Sequence, residues 1–220
     1  VGVLLISSDR GLCGAYNANV TAQIKKLQGD YRAQGIEPEL KFWVIGRKGY
    51  TWLGRRGYQV ERFHVGPPLE ALDFAADRML SGELVERFAS KELDEVRLLS
   101  TAFRSVARFE PCNDQFLPVT ADFGATAEAG ADGYQHDYLF EPSAEQIFDR
   151  LIPKYLETTI YSSMLESLAS EMASRRMAMK GATDAASRMG KELKKKYNRA
   201  RQESITKELL DIVGGAAAVS

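Results

Sequence analysis

Cysteine and histidine are scarce in this chain. Of 220 residues, two are cysteine and two are histidine. Cys13 and Cys112 lie far apart in sequence, so they form neither a disulfide framework nor a metal-ligand pair. His64 and His136, with no cysteine at ligand spacing, argue against a histidine-based metal cluster. Excess charge is missing too: 29 Lys and Arg stand against 30 Asp and Glu, a net of −1. The total therefore implies neither nucleic acid nor an anionic lipid surface as partner. No apolar run reaches the ~18 residues of a membrane span. The remaining composition is ordinary for a globular protein, 45% hydrophobic and 27% charged, and the length suits one or two domains. A reducing, cytoplasmic-type compartment is the default for so few thiols. Val1 is not methionine and sits at the edge of an apolar strand, which predicts further residues upstream, carrying any targeting segment with them.

The two parts of the chain differ in pattern. Residues 1–142 alternate strand-like and helix-like segments. Val1-Gly-Val-Leu-Leu-Ile-Ser7 is a continuous apolar run suited to a strand buried on both faces. Ala15 to about Ala33 reads as a helix with Ala15, Ala18, Ala22, Ile24, Leu27 and Tyr31 on roughly one side. A strand over 39–46, a short helix over 47–57 and an alternating strand over 58–65 follow. Leu69 to Leu93 reads as helical, with Ser81-Gly82 as a possible interruption. Segments 95–103, 104–111 and 114–119 are strand-like, and the Gly-, Ala- and Asp-rich stretch 120–137 reads as a mobile surface loop. The expectation is a small α/β sheet domain with helices on its faces.

Residues 143–220 lack breakers: from Ser143 to Val213 there is one proline, Pro153, and two glycines, Gly181 and Gly190. Ser143 with Gln146 gives a capping-box start, and Pro153 predicts a kink or a division. Leu165, Met172, Met179, Ala186, Leu193 and Ala200 recur every seven residues. Tyr161, Leu168, Arg175, Ala182, Met189 and Lys196 form a companion row broken by two basic residues. This is an imperfect coiled-coil seam. A helix over 154–213 would span roughly 90 Å at about 1.5 Å per residue. A domain of this size has a radius of gyration near ~14 Å, so most of the helix must protrude and its seam must find a partner: a second copy, another protein or an upstream segment. The part from 143 on carries 13 Lys and Arg against 10 Asp and Glu, and the rest 16 against 20. The stretch Lys191–Arg201 is strongly basic. It reads either as a solvated helix face or as a contact for an acidic protein; nucleic acid ranks lower, because the patch is short and offers only Tyr197 for stacking.

The stretch Ser8-Asp-Arg-Gly-Leu-Cys-Gly-Ala-Tyr-Asn17 follows the first strand. It lacks the G-x-G-x-x-G spacing of a dinucleotide fold and the G-K-[ST] of a P-loop. A phosphate at the helix start, a catalytic Cys13 activated near a helix N-terminus, and a tight turn with a small buried thiol all remain open on residue chemistry. Neither histidine stands in a recognisable motif that would supply a base.

SDRGLCGAYN and the stretch from Met172 to Val219 resemble the two signatures of the gamma subunit of F-type ATP synthases. GRKG (46–49) and DYLFEP (137–142) fall in the matching order between them. The resemblance spans essentially the whole chain. It departs at Ala185, where the family often has Asn, and no cysteine pair of the chloroplast form is inserted. It implies an α/β, Rossmann-like foot domain over 1–142 and a very long C-terminal helix over 143–220, one half of an antiparallel coiled coil whose N-terminal partner helix lies upstream of Val1.

The resemblance further implies a non-catalytic rotor subunit with no cofactor. Its partners would be three alpha and three beta subunits, the epsilon subunit and the c-subunit ring, with membrane contact only through that ring. Location would be the cytoplasmic face of the bacterial plasma membrane, or the matrix side of the mitochondrial inner membrane. Beta-subunit contacts would come from Arg10, Leu12 and Cys13 in the loop and from Lys191, Lys194, Lys195, Lys196, Arg199, Arg201 and Gln202 on the helix. Ile212, Val213 and Ala216 would form a low-polarity bearing at the tip, and Tyr138 and Glu141 would face epsilon or the c ring. The competing readings are a nucleotide-binding α/β domain with a coiled-coil dimerisation arm, and an adaptor that dimerises through the seam.

Overall fold

The computed structural model describes residues 1–64, 74–119 and 143–219. Its first strand, β1 (Gly2–Ile6), is buried throughout, as a continuous apolar run requires when both faces of a sheet are covered. Around it stand β2 (Lys41–Ile45), β3 (Val60–His64), β4 (Val96–Ser105) and β5 (Arg108–Leu117) in the order β3-β2-β1-β4-β5. The first four are parallel and β5 is antiparallel to β4. The segment 104–111, expected as a strand of its own, instead contains the turn of a hairpin, with Ser105 opposite Arg108. Pro111 is tolerated within β5 because that strand lies at the sheet edge.

Helices cover both faces. Val20, Ile24 and Leu27 of α1 (Tyr16–Ala33) and Leu53 of α2 (Arg47–Gly54) join Val3, Leu5, Phe42, Val44 and Leu99 in one core cluster. Leu80 and Leu84 of α3 (Phe74–Ala89) and Leu156, Ile160 and Met164 of α4 (Ala144–Val219) join Leu4, Ile6, Trp43, Ile45, Val96 and Leu98 in the other. The alternation of β1 thus feeds two cores, Val3 and Leu5 to one side, Leu4 and Ile6 to the other.

Three expectations need correction. Ala15, the N-cap, and Ala18 and Ala22 on α1 are exposed, and the buried side is Tyr16, Val20, Thr21, Ile24 and Leu27; larger side chains gain more from burial than alanine does. Ser81-Gly82 does not interrupt α3, which ends at Ala89, where the amides of Glu92 and Leu93 turn back onto the Arg87 carbonyl at 3.0 and 3.2 Å. Pro153 does not divide α4, which continues through it. The Gln146 amide donates to Ser143 Oγ at 3.3 Å, so the expected N-cap is present. The loop expected at 120–137 lies outside the described residues.

The chain divides into two compact units, Val1–Arg175 and Arg176–Ser220. The change of element type expected at 142/143 therefore does not coincide with the boundary between units. The cause is in α4, whose Leu156, Ile160 and Met164 are buried on the sheet domain.

Gly46 and Gly49 hold the sheet and α2 together. Gly46 has φ +92, and a Cβ there would lie 2.0 Å from the Ser7 carbonyl oxygen; one on Gly49 would lie 2.6 Å from Ser7 Oγ. Gly54 has open space around it. Replacing Gly46 by Ala is expected to destabilise the sheet domain by about 3 kcal/mol, through clash and a left-handed backbone. Gly54→Ala is expected to stabilise it by up to about 1 kcal/mol. Urea unfolding followed by the fluorescence of buried Trp43 in one core and of Trp52 against the other measures both.

Candidate protein-contact site

The turn after β1 is tied to α2. Ser7 Oγ accepts the Gly49 amide at 2.8 Å and donates to the Ile45 carbonyl at 2.9 Å. The Lys48 amide reaches the Ser8 carbonyl at 3.0 Å, and the Arg47 amide reaches Asp9 Oδ1 at 3.0 Å. Three donors at the start of α2 are therefore satisfied by the turn itself, with Asp9 as a cap supplied from another element. An anion at that helix start would have to displace all three.

Beyond Asp9 the chain closes into a small knot. The Asn17 amide donates to Ser8 Oγ at 2.7 Å and to Cys13 Sγ at 3.1 Å, while its carbonyl accepts the Ser8 amide at 3.1 Å. Ser8 Oγ donates to the Arg10 carbonyl at 2.7 Å. Cys13 is only 2% exposed, so its thiol is part of the knot and not a surface group. Leu12 is its opposite: φ +64, left-handed for a non-glycine residue, and 73% exposed. A leucine in that conformation carries strain, and nothing in the domain covers it in return. The loop holds Leu12 outward, with Arg10 also exposed beside it. Of the three loop residues expected at a protein contact, Arg10 and Leu12 are thus at the surface, while Cys13 lies beneath and holds them up.

The carboxyl edge of the sheet explains the fate of a ligand crevice. In doubly wound sheets, ligands enter where the strand order reverses, here between β1 and β4. That place is filled by α4. Ser167 Oγ accepts the Thr101 amide at 3.1 Å, Ser170 Oγ donates to the Thr101 carbonyl at 3.4 Å, and Ser174 Oγ donates to the Cys13 carbonyl at 2.5 Å. Arg175 reaches the Gly11 carbonyl at 3.4 Å and pairs with Glu171. Tyr16 is buried at the same place, and burial pushes its phenol pKa well above the ordinary range, with the Glu171 carboxylate adding to the shift. Sequence reasoning missed this set because serines on a helix read as surface. The available signal was their spacing, 167, 170 and 174, in phase with Ile160 and Met164.

A cavity of about 610 Å³ lies at the opposite edge, lined by Tyr31, Glu95, Arg97 and Gln115 among others. Its charged groups answer one another: Tyr31 donates to Glu95, Arg97 pairs with Glu95 at 3.1 Å, and Arg97 Nε donates to Asn113 at 3.0 Å. Among the described residues, no group of three or more potential metal ligands occurs, and no helix is long and apolar enough to cross a membrane.

The seam residues Leu165, Met172, Met179, Ala186, Leu193 and Ala200 are all exposed. Their companion row is shared: Leu168 packs partly against the sheet core, and Arg175 serves the loop. In the second unit Met189, Leu193, Tyr197, Ile205, Leu209, Leu210, Ile212 and Val213 stand exposed on one helix, Leu193 at 65%. Lys191, Lys194, Lys195, Lys196, Arg199, Arg201 and Gln202 are exposed too, with Arg199 paired to Glu203 at 2.8 Å. Ala216 belongs to α4. Tyr138 and Glu141, like His136, lie outside the described residues.

The architecture defines a class: a doubly wound sheet whose carboxyl edge is capped by a long C-terminal helix carrying an uncovered apolar stripe. A profile of the family described as ATP synthase matches residues 1–219. The ATP synthase gamma chain of Heliobacterium modesticaldum is 39% identical over 221 residues, covering 100% of this chain and 74% of that one. Among solved structures, a chain of the Euglena gracilis mitochondrial ATP synthase (OSCP/F1/c-ring, rotational state 3) matches with TM-score 0.71 and 17% identity, over 100% of this chain and 72% of that one. A chain of the Tetrahymena thermophila mitochondrial ATP synthase central stalk and c ring matches with TM-score 0.58 and 21% identity, over 83% of this chain and 76% of that one. These two likenesses are of fold. The chain belongs to the ATP synthase gamma-chain family.

Two measurements check the knot. Leu12→Gly is expected to raise the stability of the sheet domain by about 1 kcal/mol, since it relieves the left-handed strain, and Asp9→Ala to lower it by about 1 kcal/mol through the lost cap. In thiol labelling of the folded chain, partly exposed Cys112 should react first and slowly, because burial pushes its pKa up and depletes the thiolate. Its rate should climb as pH rises, whereas Cys13 should label only on unfolding.

Proposed function

We propose that this chain is the central-stalk shaft of a proton-translocating ATP synthase, a non-catalytic subunit that couples rotation of a c-subunit ring to conformational changes at three catalytic beta subunits. The observation that carries this reading is the series of exposed apolar side chains along the second unit, Met189 to Val213, on a helix with no core of its own among the described residues. Uncovered apolar side chains over that length call for partners along it. An upstream helix lying antiparallel to α4 would cover part of it, and the alpha and beta subunits would surround the rest.

Coupling of this kind needs differential contact. A shaft that met the three beta subunits alike could shift none of their equilibria. Arg201 and Gln202 would engage a beta-subunit loop, with the guanidinium fork suited to two carboxylate oxygens. Lys191, Lys194, Lys195, Lys196 and Arg199 would face acidic beta surface, and Arg10 and Leu12 would touch the lower part of a beta subunit. Ile212, Val213 and Ala216 would turn in an apolar collar without breaking directional bonds. Tyr138 and Glu141 would face epsilon or the c ring. The chain would sit on the cytoplasmic side of a bacterial plasma membrane, meeting the membrane only through that ring, and it would need no cofactor. The filled switch-point crevice supports this over a nucleotide-binding domain, since α4 already occupies the place a nucleotide would take.

The test is reconstitution of the full-length chain with alpha and beta subunits. ATP hydrolysis should appear only with all three, and joint replacement of Arg201 and Gln202 by Ala should lower it on the order of tenfold. Hydrolysis indifferent to that double variant would remove the coupling role from these residues. Tight calorimetric binding of ATP by the chain alone would favour the nucleotide-binding reading instead.

A further inference from the structure

The stretch 47–58, RKGYTWLGRRGY, covers α2 and the turn after it. It holds four cations and no acid, in a chain whose net charge is −1. Gly49 and Leu53 are the buried side of α2, and Arg47, Lys48, Arg55 and Arg56 are all exposed. Helical spacing puts Arg47, Thr51 and Arg55 in one row, with Lys48 and Trp52 in the next. The Arg56 guanidinium lies 3.9 Å over the Trp52 ring.

A face that serves only solvation has no reason to keep its charges all of one sign. Among the described residues none of these four cations pairs with a carboxylate. Cations on β3 and α3 do pair: Arg62 with Glu83 at 2.5 Å and Arg87 with Glu61 at 3.2 Å. The Asp9 carboxylate is taken by the Arg47 backbone amide, at 3.0 Å. Arg47 and Lys48 also stand in the first turn of α2, which has no acidic residue. There the helix dipole opposes a cation and favours an anion. The arrangement gives up local stability, and negative charge brought from outside would restore it.

The aromatic rings decide between a bilayer and a polypeptide as the source of that charge. Tyr50 stacks on Phe63 with centroids 4.5 Å apart, and Trp52 stacks on Tyr58 at 6.0 Å. Rings held against the domain in this way are not free to enter an acyl layer. The other outward positions, Thr51 and Gly54, offer no apolar side chain for insertion. Three of the four cations are arginines, whose planar fork takes a carboxylate through two bonds at once. Arg, Tyr and Trp are also the types that carry most of the energy of protein interfaces.

We infer that the outward face of α2 is a docking surface for an acidic polypeptide segment, a run of Asp and Glu on a neighbouring chain, held by Arg47 and Arg55 with Lys48 beside them. The surface uses none of the residues assigned above to a beta-subunit contact, and it does not depend on the shaft reading.

The experiment uses the full-length chain with Cys112→Ser and Thr51→Cys, carrying an environment-sensitive dye at position 51; Cys13, being buried, stays unlabelled in the folded chain. The probe is a short peptide of alternating glutamate and serine. At about 50 mM salt the dye should report saturable binding, and about 300 mM salt should remove most of it. Arg47→Gln with Arg55→Gln should weaken binding about tenfold or more, because two charge-assisted contacts are lost. Arg47→Lys with Arg55→Lys, which keeps the charge and loses the fork, should fall between. Lys180→Gln with Lys207→Gln, an equal loss of charge elsewhere, should leave the response at position 51 unchanged. If the first pair fails to fold by far-UV circular dichroism, Arg55→Gln alone is read the same way, with about threefold weakening. In the assembled complex, a benzophenone cross-linker at position 51 should join a segment rich in Asp and Glu. No response to the peptide, equal affinity in the glutamine variants, tighter binding to phosphatidylglycerol vesicles than to the peptide, or cross-links confined to segments poor in carboxylate each overturns the docking surface. A parent chain that supports no ATP hydrolysis with alpha and beta subunits overturns the shaft reading and leaves the peptide titration standing.

Discussion

A lone α-helix has no interior, and the rest of this structure depends on that constraint. Among the described residues of the second unit, the large apolar side chains of α4 stand exposed, Met189, Leu193, Ile205, Leu209, Ile212 and Val213 among them. Each would gain about 1.5–3 kcal/mol if a partner covered it fully. A helix without such cover draws only on intrinsic propensity and surface pairs, such as Arg199 with Glu203, worth a few tenths of a kcal/mol each. Its stability has to come from cover supplied by another segment or another chain.

In the first unit the same helix solves a different problem. From Leu156 to Met164 it behaves as any cover helix on a sheet, burying aliphatic side chains in a shared core. From Ser167 to Arg175 it changes character and bonds to the backbone of β4 and of the loop after β1. The loop therefore gets support from below that its own sequence does not provide. Leu12 can be kept in a left-handed conformation because Asn17 and Cys13 tie the knot on one side while Ser174 and Arg175 hold its carbonyls on the other. Strain of this kind persists only where surrounding structure over-determines it. The loop and the Ser167–Arg175 segment of α4 are thus one construction within the first unit.

How much of this was readable in advance follows from which signals are periodic. β1 and β2 were legible because parallel strands covered on both faces leave unbroken apolar runs, and the long helix was legible because its apolar residues recur without breakers. The buried side of α1 was misjudged, since an alanine row catches the eye while Tyr16 and Thr21, partly polar, hide among the buried positions. The β4–β5 hairpin was read as three strand-like segments because Val106-Ala107 carries no glycine or asparagine to announce a turn. The serine seat was invisible for a physical reason: a buried hydroxyl differs from a solvated one only in its partners, and those come from residues 66 to 161 positions away. The resemblance grouped Arg10, Leu12 and Cys13 as one contact, and the structure separates the outward Arg10 and Leu12 from the inward Cys13.

The seam also constrains its occupant. An ideal straight helix drifts by about 20° per heptad against a strict seven-residue repeat. From Met179 through Ala186 and Leu193 to Ala200 that drift accumulates to roughly 60°, enough to carry the row off a straight neighbour. The row stays in contact only if the two helices wind around each other with a left-handed twist. The small residues Ala182, Ala186 and Ala200 permit a close approach, while Met179, Met189 and Leu193 supply knobs between them. Beyond Ala200 the heptad ends, and the apolar residues Ile205, Leu209 and Ile212 resume at a different angle on the helix. A partner winding along the first stretch does not meet the second in the same register. The end of α4 is therefore chemically set apart from its seam, which is what a tip turning in a separate collar would require.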